Sequence, residues 1–576
     1  MKNTAIARVF YDIADLLELK GESAFKVRAY QKAARTIELW PRELETMVQE
    51  GEDPAQIPGV GEAIARKITD LVATGHVELY DKLLQEFPEG IVKMLDIPGI
   101  GPKTAMRLSS ELGVKSVDEL ERAINDGSVA ALPRMGEKTA ENILSQIQAL
   151  RRKDQRIPIG EALPLVEDIM AALRPMPGLR NLAPAGSLRR FQETIGDIDI
   201  MGTADDPEAV IEAFAGLPLV KQVLGKGPTK ASVIVGGGMQ VDLRLVEHDS
   251  FGSLLQHFTG SKQHNVALRD KFSRRGLKLS EYGITDMSTG VLEKFTTEED
   301  FYRRLGLQYI PPELREAQGE IEGAESGTLP RLVETGDVKG DFHAHSNWSD
   351  GRHSVDEMAE AARALGYQYL AITDHSQGLG IARGLSAERL GRQISEIKEL
   401  NRRREFRVFT GVEVDIRSDG RLDLPDEALA GMEVVVASIH SGMGQPGDHI
   451  TRRVIQAMEN PHVDIIAHPT GRLLGSREPY AIDMEAIFQA ALRTGAALEI
   501  NAMPQRLDLK DIHAFRAREL GVRMAIATDA HRVEHLGLMR YGVGVARRAW
   551  CEAGHLLNSL SADEIEHFLK HHKKRL

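Results

Sequence analysis

The sequence predicts a multidomain chain of α and α/β architecture. It divides into a helical N-terminal region of helix–hairpin–helix units, a central α+β domain, and a C-terminal parallel barrel. Three observations carry this reading. A Pro-Gly-x-Gly pattern recurs through residues 1–150, short β-rich runs begin near residue 157, and beyond 340 short apolar runs alternate with helical patterns. At roughly 100–200 residues per domain, 576 residues make three to five domains.

Composition excludes several classes. Hydrophobic residues make up 42% and charged residues 27%, as in a soluble chain with several cores. No stretch approaches the ~18 apolar residues needed to cross a bilayer. The start, MKNTAIARVFYDIADLLELK, has acidic residues where a signal peptide needs an apolar core. A single cysteine, Cys551, excludes an internal disulfide and a thiolate zinc cluster. The expectation is a soluble, cytoplasmic protein. A net charge of −13 argues against nucleic acid only if charge is read as one number; screening confines each field to about 8–10 Å. Histidine is more telling, since 15 of the 19 lie at or after His343. An even spread would put about eight there, so the C-terminal part reads as a metal domain.

The N-terminal repeat runs Ile57-Pro58-Gly59-Val60-Gly61, then Ile97-Pro98-Gly99-Ile100-Gly101, then Leu132-Pro133-Arg134-Met135-Gly136. An amphipathic segment follows each copy, at the spacing of helix–hairpin–helix units. A Gly-x-Gly turn exposes backbone N–H groups at a helix N-terminus, which can hold a DNA phosphate without reading sequence. A single copy is as readily an ordinary turn between packed helices, but two full copies favour phosphate binding. Arg134 replaces the first glycine of the third.

The central domain carries Gly186-Ser187-Leu188-Arg189-Arg190, then Gly196-Asp197-Ile198-Asp199-Ile200, then Val241-Asp242-Leu243-Arg244. On a strand, Asp197 and Asp199 point the same way while Ile198 and Ile200 face the core. Carboxylates on one face repel unless they share a cation. With Asp242 they can hold two Mg²⁺ or Mn²⁺ ions for in-line phosphoryl transfer. The Gly-Ser turn and Arg190 offer donors to a triphosphate. A lone Asp-x-Asp is commonly a solvated acidic edge; the motifs on either side argue against that here.

At these residues the chain resembles the family X DNA polymerases over about residues 1–310. Phe258-Thr259-Gly260-Ser261 stands in the family's order as well. The resemblance implies a nucleotidyltransferase (polymerase beta-like) palm with Asp197, Asp199 and Asp242 as metal ligands and catalytic groups. Asp242 would activate the primer 3′-hydroxyl. Gly186, Ser187, Arg190 and Gly196 would meet the triphosphate, Phe258, Gly260 and Asn265 the sugar and base, and Arg269 the template side. Residues 261–280 hold six Lys/Arg against one Asp, a basic stripe within an acidic protein. His257 departs from the family pattern, which carries tyrosine there in polymerase beta-like members, so discrimination against ribonucleotides does not carry over.

FKVRAYQKAARTIELW followed by IPGVGEAIARKITDLV resembles the small 5′-phosphate and lyase domain of the same family. Lys67 falls at the Schiff-base lysine, with Lys26 and Tyr30 nearby in the pattern. Two readings stand: a 5′-deoxyribose phosphate lyase nucleophile, or a surface lysine that binds phosphate.

The C-terminal constellation is Asp341-Phe342-His343-Ala344-His345, Ser349-Asp350-Gly351, Thr373-Asp374-His375, Gly411-Val412-Glu413, Ser438-Ile439-His440, Ala467-His468-Pro469 and Thr528-Asp529-Ala530-His531. The later motifs each end an apolar run, which places their ligands at strand C-termini. A mixed nitrogen and oxygen set suits Mn²⁺, Zn²⁺ or Fe²⁺. The order resembles the PHP (polymerase and histidinol phosphatase) domain over about 340–575. That implies a distorted (β/α)₇ barrel and up to three ions held by His343, His345, Asp350, His375, Glu413, His440, His468, Asp529 and His531.

The expected domains are 1–85 and 86–155, both helical with helix–hairpin–helix motifs, a palm at 156–250, a nucleotide and template-side subdomain at 251–312, a linker at 313–339, and the PHP phosphoesterase at 340–576. The expected function is a bacterial DNA repair polymerase that fills short gaps in base excision repair. Its partners would be gapped or primer–template DNA with a 5′-phosphate and deoxynucleoside triphosphates. It would act as a monomer without a membrane, and at the nucleoid when on DNA. The barrel would be a 3′–5′ exonuclease. The alternatives are an inert metal-stabilised scaffold, or a phosphoesterase acting on abasic sites or 3′-phosphates.

Overall fold

The computed structural model describes residues 3–572, apart from 39, 41, 43, 88–90, 92–93, 96, 98–99, 134 and 154–155. It divides into two compact units, 1–155 and 156–576.

The first unit is helical. Its helices include α1 (Asn3–Leu19), α2 (Ala24–Glu38), α3 (Glu62–Thr74), α4 (Pro102–Leu112) and α5 (Gly136–Lys153). Apolar residues at three- and four-residue spacing on α1 and α2 bury one face, with Phe10, Ile13, Ala33 and Ile37 fully enclosed. A second core collects Ile97, Leu108, Leu120 and Ile143. The three repeats share one turn: Val60 donates to the Ile57 carbonyl at 3.0 Å, Ile100 to Ile97 at 2.9 Å, and Met135 to Leu132 at 3.0 Å. Gly61 and Gly101 then cap α3 and α4 with no side-chain hydrogen bond. Pro98, Gly99 and Arg134 lie outside the described residues.

The second unit opens with α6 (Ile159–Leu173) and a five-stranded sheet of β1 (Leu179–Pro184), β2 (Ile198–Ala204), β3 (Val220–Lys226), β4 (Lys230–Val235) and β5 (Gln240–Val246). The order is β1-β2-β5-β4-β3, and only β2 and β5 run parallel. Between β1 and β2 sits the short helix α7 (Gly186–Arg189). Next come α8 (Phe251–Thr259), α9 (Lys262–Ser273), a small three-stranded sheet, and α10 (Glu298–Arg304).

Residues 313–339, expected as a linker from their Pro, Gly and Glu content, are instead packed. They include α11 (Glu320–Ser326), and Leu314, Ile321, Ala324 and Leu332 join a core with Phe272 and Phe301. The charges that suggested solvent are paired. Arg315, fully buried, donates to Glu298 at 2.6 Å and to the Ile310 carbonyl at 2.9 Å.

The barrel follows, its seven strands parallel and in sequence order: β6 (Gly340–Ala344), β7 (Tyr369–Ile372), β8 (Arg407–Asp415), β9 (Val434–Ser438), β10 (Ile465–Ile466), β11 (Ala497–Asn501) and β12 (Met524–Ala527). Near-continuous apolar strands suit a sheet covered by helices. A parallel bridge between Ala344 and Ala530 brings the ends together. Helix α12 (Met539–Arg548) packs outside, against the central domain. One apolar core runs through both, from Ile159, Val166 and Ile198 to Val355, Leu498 and Ile526. No helix among the described residues is long and apolar enough to cross a membrane.

Candidate active sites

The first site lies at the ends of β2 and β5. Parallel pairing sets Asp199 opposite Asp242 in register, with Asp197 just ahead of β2. The α7 turn closes on them: Ala185 donates to the Asp199 carbonyl at 2.8 Å. A Cβ on Gly186 would lie 2.5 Å from Asp199 Oδ2, and Gly186 has φ +59°, so a side chain there would strain the backbone and displace the carboxylate. Burial raises the Asp242 carboxyl above its usual range, and the Asp197 charge adds to this against hydrogen bonds from Ser232 and Gln240. Gln240 Nε2 donates to Asp242 Oδ2 at 2.9 Å. The three aspartates are not among the groups whose ligand atoms all lie within 4.8 Å of one another. A buried carboxylate destabilised by a neighbouring carboxylate is what a shared divalent cation relieves, so the donor set fits Mg²⁺ or Mn²⁺.

The predicted nucleotide-site residues surround this edge. Arg190 donates from Nη1 to the Thr259 carbonyl at 2.6 Å and from Nε to Glu316 at 3.1 Å. Ser187 lies on α7, Gly196 just before Asp197, and Gly260, at φ +68°, at the C-terminus of α8 beneath Arg190. Phe258 packs under the Arg244 guanidinium, 4.6 Å from its ring centre. Asn265 donates to the His257 carbonyl at 2.7 Å and accepts from Gln256 at 2.9 Å, so its amide ties α9 to α8. Arg269 is exposed one turn along and donates to the Asn265 carbonyl. Burial, with Arg244 and Arg269, lowers the His257 imidazole and favours its neutral form.

In the first unit, Lys67 sits on α3 and donates to the Ala63 carbonyl at 2.8 Å. Partial burial, then Lys26 and Arg66, lower its ammonium, while Asp70 opposes them. Tyr30 stacks on Phe10 within the core.

The second site fills the C-terminal mouth of the barrel, and Glu413 on β8 is its centre. Its Oε2 lies 2.7 Å from His375 Nδ1, 3.4 Å from His343 Nε2 and 3.6 Å from His345 Nε2. Its Oε1 lies 3.3 Å from His468 Nε2 and 3.5 Å from His440 Nε2. Asp529 Oδ1 is 3.2 Å from His345, and Asp350 Oδ2 is 3.4 Å from His531 and 3.6 Å from His375. Among the described residues, three sets have ligand atoms within 4.8 Å of one another: His345, Asp350, His375 and His531; His343, His345 and Asp529; and His375, Glu413 and His440. Burial opposes charge on Glu413, but the ring of imidazoles outweighs it and holds the carboxyl well below the usual range. Burial and three neighbouring imidazoles drive His345 down to about 3.

The donor set fits metal. His343 and His345 bring their Nε2 atoms to 3.1 Å, and His345 Nδ1 and His468 Nδ1 are buried without a hydrogen-bond partner. Polar atoms left so are costly unless a cation takes them. His468 at φ +30° and Asp529 at φ +51° hold backbone conformations that disfavour side chains, strain that gathers at functional positions.

Sequence reasoning missed the groups behind the ligands. Fully buried Glu499 on β11 accepts from His343 Nδ1 at 2.7 Å and from the His468 backbone N–H at 2.6 Å. That fixes the tautomer that presents His343 Nε2 to the centre. Asp374 collects the Ser346 and Ser349 hydroxyls and so holds the loop after His345. Arg506 Nε lies 3.6 Å from Asp529 Oδ2, and its Nη1 is buried without a partner. A charged residue inside an apolar run, as in AALEI, was the available signal for Glu499.

Comparison with known proteins follows the same division. Family models match for a helix-hairpin-helix domain at 1–77, a SAM-like helix-hairpin-helix tandem at 91–149, a DNA polymerase beta thumb at 254–316 and a PHP domain at 341–502. The chain is 43% identical over 573 residues to the DNA polymerase/3′-5′ exonuclease PolX of Bacillus subtilis (strain 168), covering 99% of this chain and 100% of that protein. It is 31% identical over 248 residues to a probable phosphatase of Thermoanaerobacter sp. (strain X514), 41% of this chain and 96% of that one. A probable phosphatase of Acetivibrio thermocellus is 30% identical over 254 residues, 41% of this chain and 97% of that protein.

Proposed function

Because the chain belongs to the family X DNA polymerases that carry a C-terminal PHP domain, we propose how its residues divide two reactions on DNA. It is a DNA polymerase and 3′–5′ exonuclease that uses divalent metals. Asp197, Asp199 and Asp242 hold the polymerase ions, Mg²⁺ or Mn²⁺. The nine barrel ligands hold up to three of Mn²⁺, Zn²⁺ or Fe²⁺. Bound at either site, the ions supply positive charge to phosphoryl oxygens and ease deprotonation of the attacking group.

In nucleotide addition, Asp242 receives the proton of the primer 3′-hydroxyl. Its raised carboxyl, a consequence of burial, suits it to accept one. The 3′-oxygen bonds to the α-phosphorus and pyrophosphate leaves. Ser187, Gly186, Gly196 and Arg190 hold the triphosphate; Phe258, Gly260 and Asn265 border sugar and base; and Arg269 faces the template. The Asp199–Asp242 register beside the Gly186 turn is the observation that supports this most directly.

In the barrel, water adds across the phosphodiester of the 3′ end and a nucleotide 5′-monophosphate departs. Glu499 keeps His343 oriented, and Arg506 meets a phosphate oxygen with its unpartnered Nη1. The Gly61 and Gly101 turns bind backbone phosphate around a short gap with a 5′-phosphate. A lowered Lys67 also favours the lyase reading. Its neutral amine condenses with the sugar aldehyde, releasing water; loss of a C2′ proton then expels the phosphate. Borohydride trapping of a DNA adduct in wild type, absent in Lys67→Ala, tests that step. Extension and degradation on a gapped, 5′-phosphorylated duplex, with Mg²⁺ and Mn²⁺ supplied separately, tests the whole. Extension no better on a gap than on a plain primer end overturns the gap-filling role.

A further inference from the structure

The segment carrying Arg190 is gripped by the barrel. Arg548, at the end of α12 and 7% exposed, donates from Nη1 to the Arg190 carbonyl at 2.7 Å and to Glu316 Oε1 at 3.2 Å. Its Nε and Nη2 both lie 2.7 Å from Asp511. The same Glu316 oxygen accepts from Arg190 Nε at 3.1 Å and Gln192 Nε2 at 2.5 Å. Phe191, between those two residues, takes φ +56° and lies so close to α12 that a Cβ on Gly544 would sit 2.0 Å from its ring. Glu193, two residues on, pairs with Arg472 of the barrel at 2.9 Å. Helix α12 carries none of the nine barrel residues expected to hold metal.

We propose that Arg548 is a positioning residue for nucleotide addition: from the barrel, it holds the Arg190 main chain and shares Glu316, and so fixes where the Arg190 guanidinium stands when the triphosphate arrives. This rests on the reading that Arg190 meets the triphosphate.

The argument is one of charge as much as of shape. Arg190 and Arg548 balance Glu316 and Asp511. Without Arg548, Glu316 and Asp511 lose the guanidinium they share, which leaves Arg190 beside Glu316 and Lys510 near Asp511. Glu316 then draws more strongly on Arg190 and competes with phosphate for it, in a place of low dielectric where such competition is strong. The local field also turns negative where a polyanion must arrive. The loss falls on triphosphate binding, because Arg548 touches neither reacting atom.

The test uses full-length protein and steady-state addition of one deoxynucleotide to a primer–template. Arg548→Met should raise KM for the triphosphate about tenfold, with kcat within threefold and 3′-end hydrolysis within twofold. Arg548→Gln, still able to hydrogen-bond but uncharged, should do the same, and Arg548→Lys should recover most of the loss. On an Arg190→Ala background, Arg548→Met should change KM no further. If Arg190→Ala raises KM while Arg548→Met and Arg548→Gln leave it unchanged, the proposal is overturned. It is equally overturned if both variants lower addition, hydrolysis and melting temperature together, which is the signature of a structural role. If Arg190→Ala itself leaves KM unchanged, the underlying triphosphate reading has failed instead.

Discussion

Asp199 and Asp242 are register partners on neighbouring parallel strands, so two carboxylates stand side by side at the edge of the central sheet. Burial raises the Asp242 carboxyl, and the charge of Asp197 adds to it.

Removing a carboxylate of this trio should therefore stop chemistry without loosening DNA. Asp242→Ala or Asp197→Ala should lower nucleotide addition more than about a hundredfold, because losing a metal ligand costs several kcal/mol of barrier. Gel-shift affinity and 3′-end hydrolysis should stay near wild type. Extension above a hundredth of wild type would defeat the assignment.

The barrel should respond in the opposite sense. His345→Ala, Asp529→Ala or Glu413→Gln should eliminate Mn²⁺-dependent 3′-end degradation and leave polymerisation within a few-fold. Bound metal counted by elemental analysis should fall below that of wild type. Wild type that binds metal yet cleaves no 3′ end would make the barrel a scaffold.

Gly61 and Gly101 allow a test free of folding effects. Both have ordinary negative φ values, −82° and −86°, and a Cβ at either meets nothing within 4 Å. Gly61→Val with Gly101→Val should leave the melting temperature nearly unchanged while keeping phosphate away from the backbone amides. We expect DNA Kd to rise about tenfold for all sequences alike, with a shallower salt dependence. Unchanged Kd at matched salt would leave the turns a purely structural role.

Glu298 gives an acid-stability signature. Burial pushes its carboxyl up, but Arg315 and Arg189 outweigh burial and hold it at about 2, against 4.5 ordinarily. A carboxyl depressed in the folded state contributes stability above pH 4.5 that fades as pH falls toward 2. The shift corresponds to roughly 3 kcal/mol. Glu298→Gln should be less stable than wild type by about that much at pH 7, with the gap narrowing below pH 4.5 and closing only toward pH 2. A gap independent of pH in denaturant titrations would refute the pairing.

How much was legible depended on periodicity. Aspartates alternating with isoleucine betray a strand edge, and a histidine ending an apolar run betrays a strand mouth, so the ligands could be read locally. What supports them could not. Glu499 meets His343 across 156 residues, and nothing near either marks the pairing. Residues 313–339 misled because composition reports charge and not its partner: Arg315 and Glu316 look solvated in sequence, yet both are buried against partners from other segments. The ties of the Asn265 amide to Gln256 and His257 are likewise unmarked by any local pattern.

The apolar core that runs from the central sheet into the barrel has a practical consequence. A chain cut before residue 340 would expose the faces of α6 and Phe191 that now lie against Pro504, Tyr541 and Gly544. The polymerising half would then be left with a sticky, half-finished surface. Activity missing from such a fragment would report aggregation or misfolding, and it would say nothing about which half performs which reaction. Only point substitutions in the intact chain can apportion the two chemistries.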